Sequence, residues 1–342
     1  MTDQTRGAEK GRLSPAKISA FLGKYSIFVI LVLAVVISSF LSPNFLTVAN
    51  ITNVLRQNSV VSILAFGETM LIIAGLIDLS SGAVLAVSGI ISIFVFKATG
   101  SLPLSFVTGL GIGVMFNLLS GLMVSVWKTP PFIATLAVTT ISRGTVLLIT
   151  AGQSVYQIGN FVVFGQGSLP NENSPFPLHI PIPIIFMLLM LLITWYVLNQ
   201  TRLGRAFYAT GGNEEAANAS GIKVAQTKFI CYIVNGILVG LAGVLFMSRV
   251  NAGIPNAGVN YEFEALTAAI IGGTSFSGGV GTALGTLAGA LIVGILNNIM
   301  NLLGVNPYVQ QIIKGSIIAL AVIMDIWAKN RRSKPKPLSE SA

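Results

Sequence analysis

The residues best suited to chemistry are charges within apolar runs long enough to cross a membrane: Glu68, Asp78, Arg143 and Lys314. A charge at the centre of a bilayer costs roughly 2.5 to 3.5 kcal/mol on insertion scales, so each needs a structural or functional reason. Asp78 lies at a glycine-rich break beside Ser80 and Ser81, where its carboxylate can cap the following helix or line a gate. Arg143 and Lys314 can pair with carboxylates or reach the membrane surface.

The other polar residues within these runs carry hydroxyl or amide groups. Such a lining suits a neutral, hydrogen-bonding solute better than an ion. The same groups also hold transmembrane helices together, so either role fits the pattern. The residues we consider for a translocation pathway or gate are Glu68, Thr69, Asp78, Ser80, Thr274, Ser275, Asn297 and Asn298.

The sequence offers no set of groups for catalysis. It contains one cysteine, Cys231, which excludes an intrachain disulfide and a thiolate metal cluster. Its one histidine, His179, lies next to Pro181 and Pro183 at the start of an apolar run, which favours an interfacial position over a role as ligand or base. Neither a Gly-x-Ser-x-Gly elbow nor a Gly-x-x-x-x-Gly-Lys-Ser/Thr phosphate-binding loop occurs. We therefore predict no catalytic residue, no metal site and no cofactor, and any energy for transport must come from another protein or a gradient.

The composition predicts an all-α polytopic membrane protein whose exterior contacts lipid. Of the 342 residues, 53% are hydrophobic and 9% are charged, which is too apolar for a water-soluble protein of this length. Apolar runs near the 20 residues needed to cross a bilayer predict about ten transmembrane helices in a domain spanning 26–328. The runs lie near 26–42, 57–77, 79–98, 102–127, 131–150, 179–199, 228–248, 264–281, 282–303 and 307–327.

The distribution of basic residues predicts the orientation of the chain. The net charge is +9, and Lys and Arg concentrate in the tails 1–25 and 329–342 and in a central loop, 200–227. Positively charged segments remain in the cytoplasm, so we expect all three there. The loop 151–178 contains no Lys or Arg and is predicted to lie outside. Ten crossings satisfy these assignments, and the charge needs no nucleic-acid partner to explain it.

Each half of the chain contains a glycine-rich break, at 67–82 and at 271–281. Paired interruptions of this kind indicate a transport path at the interface of two repeats, although the similarity between these halves is weak. Glycines at membrane depth also permit close helix packing, as the spacing of Gly281, Gly285 and Gly289 suggests. A further amphipathic segment, 48–56, is predicted to lie along the outer surface.

The central loop contains a polar island at 202–224 with the signals of a short helix. Asn213 can cap it, Glu214 and Glu215 favour its first turn, and Gly221 can end it. So short a helix is marginal alone, which predicts that its small face packs into a partner's groove. A solvated linker is the alternative. The docking residues are predicted to be Gly204, Arg205, Gly211, Gly212, Asn213, Glu214, Glu215, Ala216, Ala217, Ser220 and Gly221.

Several motifs from about residue 45 to 327 resemble one family, the permease subunits of ATP-binding-cassette importers for ribose, galactose, arabinose and xylose. They are GLIDLS at 75–80, PFIATL at 131–136, RG at 143–144, TRLGR at 201–205, GGNEEAA at 211–217, YE at 261–262, GGTS at 272–275 with GG at 278–279, NN at 297–298 and NLLGV at 301–305.

The resemblance implies a homodimer in the bacterial inner membrane with both termini in the cytoplasm. It also implies a separate ATPase subunit, an extracytoplasmic sugar-binding protein, and a small neutral sugar or polyol as substrate. The island at 204–222 would then be the coupling helix. Two departures from the family, Glu68 where Met is common and Glu264 where Asp is common, leave room for an unusual substrate. The alternatives are a secondary transporter with a proton or cation site at Glu68, Asp78 or Glu264, and a passive channel.

Overall fold

The computed structural model describes residues 15–170 and 179–332. Residues 1–14, 171–178 and 333–342, which include parts of both predicted tails and of the outer loop, lie outside the described residues. The helices are α1 (Pro15–Leu41), α2 (Val48–Ile73), α3 (Ser81–Thr99), α4 (Leu102–Ser125), α5 (Pro131–Thr150), α6 (Val163–Gln166), α7 (Ile182–Gln200), α8 (Arg202–Gly212), α9 (Glu214–Ala219), α10 (Val224–Val250), α11 (Tyr261–Ile271), α12 (Ala283–Leu302) and α13 (Pro307–Arg332).

Seven helices in the described ranges are long and apolar enough to cross a membrane: α3, α4, α5, α7, α10, α12 and the Pro307–Met324 part of α13. A shorter apolar segment, Ser26–Leu41, lies in α1. The predicted all-α polytopic class is confirmed, whereas the count of about ten spans is not.

The predicted span at 264–281 is wrong. The helix there, α11, has 11 residues and ends at Ile271, and α12 begins at Ala283. Eleven residues rise about 16 Å, roughly half the hydrocarbon thickness. Gly273 adopts a φ of +88°, which interrupts the helix, and the Thr282 hydroxyl accepts from the amide of Gly285 to start the next one. The glycines between Ile271 and Ala283 therefore divide this apolar run into two helices, α11 and α12.

One further expectation needs correction. The surface segment 48–56 is the first part of α2, because no Gly or Pro separates it from the following apolar run. The region of the outer loop also contains regular structure. It includes a 3-10 turn (Gly159–Val162), α6, and strand β1 (Ser168–Leu169), which pairs antiparallel with β2 (Ile180–Pro181).

Helix α10 lies at the centre of the bundle and packs against α2, α3 and α4. Glycines bring it into backbone contact with α4: a Cβ atom on Gly240 would lie 2.5 Å from the carbonyl oxygen of Gly109. Gly285 of α12 similarly approaches the carbonyl of Gly272, as the predicted packing role of that glycine series requires. Small residues therefore set the helix spacing, as is usual between transmembrane helices.

The bundle has two recognisable ends. At one end, α8 and α9 lie beside the turn between α4 and α5, where Lys128 and Glu214 line one cavity. At the other, Val155 and Gly253 form a backbone bridge between the segment after α5 and the turn after α10. We call these the α8–α9 end and the opposite end.

Candidate functional site

The polar island forms two consecutive helices, α8 and α9, rather than an irregular linker. The Asn213 side chain accepts a 2.8 Å hydrogen bond from the amide of Ala216, as the predicted N-cap requires. Beyond the last turn, Gly221 adopts a φ of +84°. Its amide donates to Asn218 and that of Ile222 to Ala217, at 3.0 and 3.1 Å, which is the Schellman pattern. The six-residue helix is therefore defined by its caps at both ends.

The small face of α9 is divided between the chain's interior and its surface. Ala217 is only 4% exposed, because α9 packs against α8 and α10 on this side. Ala216 and Ser220 are exposed. Ala217 is therefore covered by this chain's own helices, and the exposed face of α9 includes Glu215, Ala216 and Ser220. An ion pair of 2.7 Å between Glu214 and Lys228 links α9 to α10.

Both glycine-rich breaks meet the C-terminal end of α8 at a cluster we call the glycine junction: Ile73, Gly75, Gly211, Gly278 and Gly279. A Cβ atom on Gly211 would overlap the carbonyl oxygen of Ile73. One on Gly278 would lie 2.5 Å from the carbonyl oxygen of Gly211. The amide of Gly279 donates to the carbonyl of Ile73 at 2.9 Å. Backbone contacts therefore join the two breaks to the helix that precedes α9.

Tyr208 supplies a side-chain link at the same place. Its hydroxyl donates a 2.7 Å hydrogen bond to the carbonyl of Gly281, at the end of the second break. Burial raises the pKa of the Tyr208 phenol, which keeps the hydroxyl protonated and able to donate. Earlier in α8, a Cβ atom on Gly204 would overlap the carbonyl of Val197, so glycine permits the tight corner after α7. Arg205 and Gly212 are exposed.

Asp78 is fully buried and accepts several hydrogen bonds. The amide and hydroxyl of Ser80 donate to its Oδ1 at 2.7 and 2.5 Å, and the amide nitrogen of Asn235 donates to its Oδ2 at 2.8 Å. Asn235 also donates to Asn117 at 3.0 Å. Asp78 thus fixes the segment that enters α3 and connects it to α10, instead of capping the first turn of α3.

Glu68 lies beside Asp78 and is also fully buried. The amide of Asp78 donates to Glu68 Oε2 at 3.3 Å, and the Ser81 hydroxyl oxygen lies within hydrogen-bonding distance of both carboxyl groups. Among the described residues, neither carboxyl group forms an ion pair with Lys or Arg. The hydrogen bonds to these two carboxyl groups come instead from serine hydroxyls, backbone amides and the Asn235 side chain.

The remaining predicted pathway residues lie in different places. Thr69 shares a 2.6 Å hydrogen bond with Thr286, which joins α2 to α12. Thr274 is buried in the second break, and the amide of Ser275 donates to Val280 across that break. Thr69, Thr274 and Ser275 therefore have hydrogen-bond partners or positions other than the Glu68–Asp78 contacts, although all three belong to the two glycine-rich breaks.

Asn297 and Asn298 lie near a polar cavity between α2, α11, α12 and α13. Asn298 exchanges two hydrogen bonds with Asn50, at 2.8 and 3.0 Å. Asn297 lines a cavity of about 440 Å³. Lys314 was expected either to pair with a carboxylate or to reach the membrane surface, and its Nζ lies 2.7 Å from Oε1 of Glu264. Arg143 instead donates to the carbonyls of Pro255 and Ala257, at 2.8 and 3.0 Å.

Sequence reasoning missed the partners that connect these positions. Asn117 and Asn235 are visible as amides within apolar runs, but their spacing does not reveal that Asn235 binds Asp78. Ser81 is adjacent to Ser80, yet only the structure shows that it lies between two carboxyl groups. Nothing local indicates that Gly211 meets Gly278.

The family model described as branched-chain amino acid transport system / permease component matches residues 50–322. The chain belongs to this permease family. The ribose import permease protein of Bacillus subtilis is 42% identical over 312 residues, which cover 90% of this chain and 92% of the relative. The ribose import permease of Escherichia coli strain K12 is 40% identical and covers 88% of this chain and 92% of the relative. The D-allose transport system permease of that strain is 38% identical, with 93% and 96% covered. No solved structure shows a significant match.

These similarities confirm the resemblance inferred from the motifs and support the importer interpretation over a secondary transporter. The chain is a membrane transport component and not an enzyme.

Proposed function

We propose that this chain is the membrane-spanning subunit of an ATP-driven importer for a monosaccharide or a similar small neutral polyol, with ribose as the first candidate. The observation that carries the proposal is the 42% and 40% identity to two ribose permeases along 90% and 88% of the chain. The family description mentions branched-chain amino acids, but relatives of high coverage are named for ribose and allose. This favours a sugar.

The exposed face of α9 would receive the ATPase subunit. Glu215, Ala216 and Ser220 are exposed there, while the caps and the packing on α8 and α10 hold the helix in place. A displacement of α9 would be transmitted through α8 to the glycine junction, which contains residues of both glycine-rich breaks. This arrangement supports a coupling role because the contacts at Gly211 are between backbones, which cannot yield by side-chain rotation.

The α8–α9 end and both tails would lie in the cytoplasm of a bacterium, with two copies of the chain in one transporter. Exposed Arg202, Arg205 and Lys223 at this end support the orientation, as does the lack of Lys and Arg in the loop 151–178. The opposite end would then receive sugar from an extracytoplasmic binding protein.

The test is reconstitution in liposomes with radiolabelled ribose. We expect uptake only when the chain, its ATPase subunit, the binding protein and ATP are all present. Accumulation by the chain alone, driven by a proton or sodium gradient, would contradict the proposal. Uptake of xylose, galactose or allose in place of ribose would change the substrate but keep the importer.

A further inference from the structure

The cavity beside Asn297 is lined by polar side chains from four helices. Its volume is about 440 Å³, within the range of small-molecule sites. The lining side chains on which the argument rests are Gln57 of α2, Glu264 of α11, Asn297 and Asn301 of α12, and Gln310 and Lys314 of α13. Amides in a membrane domain are costly unless they meet polar groups or water, so this concentration needs an occupant.

The charges of the cavity cancel. Lys314 Nζ lies 2.7 Å from Glu264 Oε1, and the two side chains are 30% and 16% exposed. An opposite charge at this distance satisfies each group, which leaves no net charge for an ion to neutralise. The cavity is therefore matched to a neutral solute.

The amides supply both donors and acceptors. Gln310 Nε2 donates to Asn301 Oδ1 at 3.0 Å and to the carbonyl of Val305 at 2.9 Å. The oxygen of Gln310 and the NH₂ group of Asn301 take no part in these two bonds, and both residues line the cavity. The Asn297 side chain lines the cavity, and its Oδ1 is enclosed without a hydrogen-bond partner among the described residues. An unpaired enclosed oxygen is costly, and rotation of the Asn297 amide toward the cavity would let a hydroxyl donor satisfy it. Sugar hydroxyls donate and accept, as these amides do.

Two aromatic rings complete the wall. Tyr261 and Phe263 also line the cavity, and Phe263 is 41% exposed. Apolar and aromatic surface combined with a few polar groups is the usual composition of a small-molecule site. An aromatic ring can cover the C–H face of a sugar, while the amides bind its hydroxyls.

We propose that this cavity holds one monosaccharide molecule on its way through the permease. The proposal rests on the proposed function and adds the location of the sugar. Helix α11 begins at the cavity with Tyr261 and leads to the second glycine break at its other end. A sugar bound here would lie next to α11, and the glycine-rich break that follows α11 contacts α8 at Gly211. Sugar binding and coupling would therefore both involve α11.

The first test replaces Asn297 with Ala in the complete transporter. We expect ribose uptake to fall by about tenfold or more, the effect of losing a hydrogen bond to a buried group, while binding-protein-stimulated ATP hydrolysis persists. The matched control is Asn160→Ala, because Asn160 is an exposed asparagine outside this cavity. Unchanged uptake by N297A would overturn the proposal.

A second test does not depend on transport. Gly315→Cys is introduced together with Cys231→Ser, and labelling by a small maleimide is followed in the complete transporter. Gly315 lines the same cavity, has open space where a Cβ atom would lie, and supplies none of the groups assigned to the sugar. Cys231 is the sole native cysteine and is buried, so the new thiol is the labelled one. We expect ribose to slow labelling and leucine to have no effect. Protection by leucine instead, or by neither compound, would refute a sugar site here. If wild-type liposomes take up no sugar at all, the proposed function fails, independently of the labelling result.

Discussion

The hydroxyl oxygen of Ser81 lies 2.8 Å from Oε1 of Glu68. The same oxygen lies 3.2 Å from Oδ2 of Asp78. A serine hydroxyl carries one hydrogen and can donate it to only one of these carboxyl groups. The other contact needs a hydrogen from a carboxyl group. Because Asp78 already accepts from Ser80 and Asn235, we assign that hydrogen to Glu68.

Glu68→Gln is therefore expected to retain most of the uptake. The glutamine amide has the shape of the carboxyl group and can donate to Ser81 as a protonated Glu68 would. Glu68→Ala should lose most activity because it leaves Ser81 and the amide of Asp78 without this partner. Ribose uptake by the complete transporter distinguishes the two variants. If both are equally inactive, a carboxylate charge at residue 68 is required and the ion-coupled alternative gains support.

Asp78→Asn should impair transport despite its similar shape. Asp78 accepts hydrogen bonds at both oxygens, and an asparagine would turn an NH₂ group toward Ser80 or Asn235. A buried group left unsatisfied costs about 1 to 3 kcal/mol. We expect low uptake with the ATPase subunit still bound, as measured by co-purification. Normal uptake would show that these hydrogen bonds are dispensable.

Gly211→Ala should uncouple ATP hydrolysis from uptake. Its Cβ atom would overlap the carbonyl oxygen of Ile73, so the backbone of the glycine junction must shift. The adjacent Gly212→Ala is the matched control, since its Cβ atom would have no neighbour within 4 Å. The measurement is the ratio of ribose uptake to ATP hydrolysis in liposomes. Equal ratios for the two variants would contradict a coupling role for the junction.

Ala216→Arg should prevent docking of the ATPase subunit without destabilising the permease. Ala216 is exposed, so the new side chain meets only the partner. The neighbouring Ala217→Arg should instead lower the thermal stability of the isolated permease, because overpacking a buried position costs typically about 1 to 3 kcal/mol. Co-purification and thermal unfolding measure the two effects. Binding of the ATPase by A216R with normal uptake would exclude this face as the docking surface.

The sequence by itself determined the class of the protein and its local signals. Apolar runs of membrane length give the all-α polytopic class, since only helices satisfy the backbone in lipid without closing a barrel. The caps of α9 were predictable because Asn213 and Gly221 act on backbone groups within a few residues. The ordered motifs identified the permease family.

Only the tertiary structure shows which of these residues lie in contact with one another. Gly75, Gly211 and Gly278 are far apart in the chain, and their contact depends on how α2, α8 and α11 are placed. The burial of Ala217 was not predictable, because a six-residue helix of small residues has no periodic pattern to show which side is covered. Asn235 of α10 reaches Asp78 beside Gly67 of α2, where a Cβ atom would overlap the Asn235 side chain. Local interactions fix where helices begin and end, whereas long-range packing fixes which polar groups and glycines face each other.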